Sequence, residues 1–163
     1  MAHSLARQKG RYGRVEEEHL PPPLRAPLRV GEWVERVAGL ETRLPVRILD
    51  GPPLEVQADG DQLDQLLINL IDNAVEAARE TDGGVRVGWE VVRRHLEVWV
   101  EDDGPGISDT GNLFVPFYTT KPGASGIGLA PGRQIAEAHG GTLTLENRSS
   151  ASGCIARLRL PIP

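Results

Sequence analysis

The run QLLINLIDNAVEAA at positions 65–78 sets two asparagines, Asn69 and Asn73, four residues apart on an otherwise apolar helical segment that ends in small residues. One helical turn separates them, so their amides share a face, while Leu66, Leu67, Leu70, Ile71, Ala74 and Val75 form the core-facing stripe. Amides beside so apolar a stripe mark a polar site at a cleft edge. Carboxamide oxygens suit a hard cation such as Mg²⁺ and their N–H groups suit phosphate oxygens, so the helix can hold a metal–nucleotide. For the pair taken alone, simple solvation is an equal alternative.

A second element narrows that choice. His95-Leu96-Glu97-Val98-Trp99-Val100 alternates as a strand and then breaks into EDDGPGI at 101–107. Gly104 and Gly106 permit a sharp turn and the close approach of a flat ligand. Asp102, at the strand end, can accept a hydrogen bond from an exocyclic amine. The third element is the glycine-rich stretch from Lys121 to Leu129, KPGASGIGL, running into a predicted helix. Backbone N–H groups at such a helix start form a phosphate site. A single glycine loop is weak evidence, whereas three elements in this order are strong.

In these motifs the chain resembles the ATP-binding catalytic domain of sensor histidine kinases, within the group that includes the gyrase and MutL ATPases. The resemblance covers roughly residues 28–161. QLLINLIDNAVEAA is similar to the asparagine box, EDDGPGI to the first glycine box, LFVPFYTTK to the phenylalanine box and GASGIGLA to the second glycine box. AEAHGGTLTLEN and GCIARLRLP resemble the last helix and strands. The resemblance implies an α+β fold, a two-layer α/β sandwich in which helices cover one face of a mixed sheet and ATP sits under a mobile lid. It implies Asn73 as the Mg²⁺ ligand and Asn69, the catalytic position, beside the metal and phosphates. Asp102 then binds the adenine amine, Gly104 and Gly106 shape the adenine pocket, and Lys121, Gly126 and Gly128 lie along the phosphates. In the gyrase and MutL type the residue four before the metal asparagine is a glutamate that activates water. Here it is Asn69, and an amide is a poor general base. Transfer of the γ-phosphoryl to a nucleophile brought by another domain fits better, because it needs mainly positioning and charge neutralisation.

None of the four histidines is a convincing phosphoacceptor: His3 lies in a short polar start, His19 precedes three prolines, His95 starts a strand and His139 ends a helix. The expected partners are therefore a histidine-bearing dimerisation domain of the same parent kinase and a response regulator, with this chain a catalytic-domain fragment. A formal net charge of −5 argues against nucleic acid as the main partner. No run of about 18 apolar residues exists, so no membrane contact is expected of the fragment. A cytoplasmic location follows, compatible with a parent anchored in a membrane through an upstream sensor region. The single cysteine, Cys154, excludes an internal disulfide. It falls where the family often has threonine near the adenine site, and burial as a small apolar residue is its ordinary role. Two readings of other classes share these boxes: a nucleotide-binding regulatory module without catalysis, and a serine-directed kinase of the anti-sigma type.

Residues 1–26, mixed in charge and ending in prolines, read as a linker or residual upstream segment, and 27–163 as the catalytic domain. Leu28-Arg29-Val30 is a candidate first strand, and Trp33, Val34, Val37 and Leu40 predict an amphipathic helix of about three turns. Val46–Leu49 and Leu54–Gln57 are predicted strands. Asp59 or Asp61 caps the asparagine helix. Asp82-Gly83-Gly84 ends it and opens a strand in which Val85, Val87, Trp89 and Val91 alternate. Three features depart from the family pattern: Ala124 where a glycine is usual, Glu76 where many relatives have a basic residue, and Pro131-Gly132 in the helix after the lid. Pro131 is tolerable only in the first helical turn, which fixes the helix start near Gly126–Leu129. Lys121 is one of two lysines against sixteen arginines, which favours a need for its compact charge. Phe114 and Phe117, the only phenylalanines, are expected to pack the lid or the core.

Overall fold

A computed structural model describes residues 20–106, 129–148 and 152–162. Its elements run β1 (Ala26–Arg29), α1 (Val30–Ala38), β2 (Val46–Ile48), β3 (Glu55–Ala58), α2 (Gly60–Glu80), β4 (Val85–Val92), β5 (His95–Asp102), α3 (Leu129–Ala138), β6 (Thr142–Asn147) and β7 (Cys154–Pro161). Five strands form one sheet in the order β2-β4-β5-β7-β6, and β1 pairs with β3 in a separate two-stranded ribbon. Only the β2–β4 pair of the large sheet is parallel, so the sheet is mixed, as expected. The helices pack on one of its faces, α2 against β4 and β5, and α3 against α2, β6 and β7.

Strand β5 shows how the two layers arise. Its residues alternate half-buried and buried from His95 to Asp102, which turns Leu96, Val98 and Val100 toward the helices. The matching stripe of α2 is fully covered: Leu63, Leu66 and Leu67 are at 0% exposure. Asp59 starts this helix, its side chain accepting from the Gln62 N–H, which decides between the two predicted caps. Arg36 of α1 holds the buried Asp64 of α2 through two 2.9 Å bonds, a bidentate pair that staples the helices together.

The predicted boundaries shift at both ends of α1. Val30 opens α1 rather than closing β1. Helix α1 is nine residues long and stops at Ala38, because Gly39 follows. Leu40 therefore lies outside the helix at 43% exposure. The alternation of β4 buries Val85, Val87 and Trp89 but leaves Val91 46% exposed, at the end of β4 that β2, paired only with Val85–Val87, does not flank.

Candidate functional site

Helix α2 and the end of β5 bring two of the three sequence elements together. Asn69 is buried at 5% exposure and Asn73, one turn on, is half-buried. The Nδ2 of Asn73 is buried and has no hydrogen-bond partner among the described residues. An amide serving only the fold would pair that donor, so packing alone does not account for Asn73. The Oδ1 of Asn69 accepts from Gln65 Nε2 at 3.3 Å, and Gln65 is itself 1% exposed.

Asp102 closes β5 at 5% exposure, and its Oδ1 accepts from the Gly104 N–H at 2.8 Å. That local bond turns the chain and fixes the carboxylate's orientation. Gly104 then runs against α2: a Cβ at this position would lie 2.7 Å from the Ala77 Cβ and 2.8 Å from its carbonyl carbon. Ala77 is one helical turn past Asn73. The glycine thus lets the loop bearing Asp102 press onto the helix bearing the asparagines. Gly106 has φ +85°, a backbone state in which an L side chain is strained. Cys154, the cross-strand partner of Asp102 in β7, is buried at 7% exposure, the ordinary role expected of it.

Asp103, which the sequence did not single out, organises the rear of the loop. It accepts from the Gly84 N–H at 3.0 Å and from Arg86 Nη1 and Nη2 at 3.0 and 2.8 Å. Arg148 also bonds it. The Arg86 guanidinium, with the Gly84 N–H and Arg148, holds its carboxyl well below the usual carboxylate range. Adjacent acids in EDDGPGI therefore do different work, Asp102 bonding its own turn and Asp103 tying the start of β4, the end of β5 and the residue after β6 together. Only the pairing of strands reveals this, since Arg86 and Arg148 are distant in sequence.

Helix α3 is described from Leu129 onward, with Pro131 the third of its described residues. Gly132 has a reason in the packing. A Cβ there would lie 3.2 Å from Leu143 Cδ2 and 3.7 Å from Leu66 Cγ, so its absence allows α3 to seat closely on α2 and β6. Lys121, Ala124, Gly126, Gly128, Phe114 and Phe117 lie outside the described residues. Among the described residues no cluster of His, Cys, Asp or Glu could hold a metal, and no helix is long and apolar enough to cross a membrane.

The family described as histidine kinase-, DNA gyrase B-, and HSP90-like ATPase matches residues 58–163. The sensor protein ChvG of Rhizobium meliloti is 42% identical over 112 residues, which are 63% of this chain and 19% of that protein. The chain therefore spans about a fifth of such a relative. The nucleotide-free catalytic domain of histidine kinase ThkA has a TM-score of 0.73 at 29% identity, over 84% of this chain and 95% of that one. ThkA in complex with the response regulator TrrA gives 0.78 at 25% identity, over 99% of this chain and 49% of that one. With the motif order, the helix-on-sheet layers and these likenesses in agreement, the chain belongs to the histidine kinase-, DNA gyrase B- and HSP90-like ATPases, as an ATP-binding catalytic domain of the sensor histidine kinase type.

Proposed function

We propose that this domain binds ATP with Mg²⁺ and transfers the γ-phosphoryl group to a histidine on a dimerisation domain of the same parent protein, which then passes it to a response regulator. The observation that supports the reading is the close approach of Gly104 to Ala77, which brings the turn after Asp102 against the helix that carries Asn69 and Asn73. Asp102 accepts from the adenine amine there, its other contacts holding it in place. Gly104 and Gly106 keep side chains out of the adenine's path.

Mg²⁺, when bound, offsets the charge of the phosphates. The donor set fits it in a particular way: with no carboxylate cage among the described residues, the protein offers an amide oxygen, Asn73 Oδ1, and leaves most positions to phosphates and water, the usual habit of Mg²⁺. Asn69 lies beside the phosphates and supplies hydrogen bonds rather than a base. Lys121 and the amides near Gly126 and Gly128 meet the remaining phosphate charge, a role Glu76 does not supply. An incoming histidine is its own nucleophile, so positioning suffices. The acceptor and the regulator are supported by likeness to sensor proteins and to the ThkA–TrrA complex.

Titration with a fluorescent ATP analogue, with and without Mg²⁺, followed by incubation with the parent's dimerisation domain and radiolabelled ATP, tests the proposal. Saturable Mg²⁺-dependent binding, slow hydrolysis by the chain alone and labelling of the added domain on histidine are expected. Rapid turnover by the isolated chain would contradict the role given to Asn69, and label on serine would favour the anti-sigma type of kinase.

A further inference from the structure

We propose that Gln65 is a positioning residue that sets which end of the Asn69 carboxamide faces the nucleotide; this rests on the nucleotide reading just given. Gln65 stands one helical turn before Asn69 among Leu63, Leu66 and Leu67, all fully buried, and is itself 1% exposed. Its Nε2 donates to Asn69 Oδ1 at 3.3 Å. Its Oε1 is buried without a hydrogen-bond partner among the described residues.

Burying an amide with one end unpaired costs free energy that a methionine of similar length would not. Packing therefore gives no reason for glutamine at this place, and the bond to Asn69 is the return on that cost. A carboxamide has one acceptor end and one donor end. With Oδ1 engaged by Gln65, the Asn69 Nδ2 is the end turned toward the cleft, where its N–H groups suit phosphate oxygens and not a cation. The residue one turn before Asn73 is Asn69 itself, whose donor end is the one turned to the cleft and so leaves Asn73 Oδ1 open. The two asparagines, alike in sequence, are thereby assigned different ends of the ligand: Asn69 donates to phosphate and Asn73 offers its oxygen to the metal.

The test is a double-mutant cycle on the 163-residue chain, with Kd for Mg·ATP and for adenosine measured on the wild type, Gln65→Met, Asn69→Ala and the double variant. Gln65→Met should weaken Mg·ATP about 3- to 10-fold, the size of one hydrogen bond, and leave adenosine unchanged. In the Asn69→Ala background the same substitution should change nothing further. Additive losses, or equal losses for both ligands, overturn the proposal while leaving the nucleotide site standing. A wild type that binds neither ligand overturns the nucleotide reading and this inference with it. Should Gln65→Met fail to fold, the side-chain amide resonances of Asn69 in the wild type decide. A shift with Mg·ATP but not with adenosine supports the assigned polarity, and resonances that move with neither, or equally with both, overturn it.

Discussion

His139 and Asp59, eighty positions apart, are joined by one buried hydrogen bond: the Asp59 backbone N–H donates to His139 Nε2 at 3.0 Å. A ring nitrogen that accepts carries no proton, so Nδ1 bears it and donates to the Ile135 carbonyl at 2.9 Å. Asp59 meanwhile caps α2 through Oδ1 and holds the Leu24 N–H through Oδ2 at 2.8 Å. The end of α3, the start of α2 and the chain entering the domain thus meet at one junction. His139→Phe keeps the ring volume but leaves the Asp59 N–H and the Ile135 carbonyl without that partner. It should destabilise the domain by about 2–3 kcal/mol. Urea unfolding followed by tryptophan fluorescence measures this, and a loss under about 0.5 kcal/mol, the range of ordinary surface changes, would refute the junction.

The sequence could not disclose that junction, because His139 read only as the end of a helix. What it did disclose was local. The stripe of α2, the candidate cap Asp59 and the alternation of β5 follow from periodicity and helix-end chemistry. Residues that act across the fold were missed or half-read. Gly104 reads as a turn residue, yet it also admits the backbone of Ala77; Gly132 reads as a poor helix former, yet it lets α3 reach Leu66 and Leu143. The β4–β5 turn had no glycine or asparagine to announce it. Arg93 and Arg94 both take positive φ, 49° and 63°, a cost imposed by eight paired positions on either side.

The Asp103 network gives a pH signature. Its carboxyl is held below its ordinary value of 3.8 mainly by Arg86, so the folded state favours the ionised form. Such a group stabilises fully above the unfolded value, and the contribution is lost as pH falls below it toward the folded value. Asp103→Asn should therefore destabilise the domain at pH 7 by about 1 kcal/mol, a modest figure because the side chain is a third exposed. The gap between wild type and variant should narrow below about pH 4. Unfolding curves from pH 7 to pH 3 check the trend, and a gap that widens on acidification would reverse the assignment.

Adenine recognition and metal binding should separate by mutation. Asp102→Asn keeps the shape but replaces an acceptor oxygen with a donor, so adenosine and ATP should both weaken by about 1–3 kcal/mol. Asn73→Ala should spare adenosine and remove the benefit of Mg²⁺ for ATP. Calorimetric titration with each ligand, with and without Mg²⁺, distinguishes the two. If both variants weakened adenosine and ATP alike, one shared structural defect would explain them better than two roles.

Gly104→Ala tests whether the contact that assembles the cleft is also the one that sets its affinity. The new Cβ would meet the Ala77 Cβ, carbonyl carbon and carbonyl oxygen at 2.7–2.8 Å. Two of these three atoms are helix backbone, so no side-chain rotation relieves the overlap and either the loop or α2 must move. Overpacking of this kind costs about 1–3 kcal/mol, and the turn, short beside a 21-residue helix, should be the part that yields. Asp102 is bonded to the Gly104 N–H and would be carried off its position with it. The variant should therefore lose adenosine affinity at least tenfold while its helices and sheet persist, as read by circular dichroism. Ala77→Gly removes one of the three opposing atoms, so combined with Gly104→Ala it should restore part of the affinity. A double variant no better than the single one would mean that the loop is set by something other than its seat on α2.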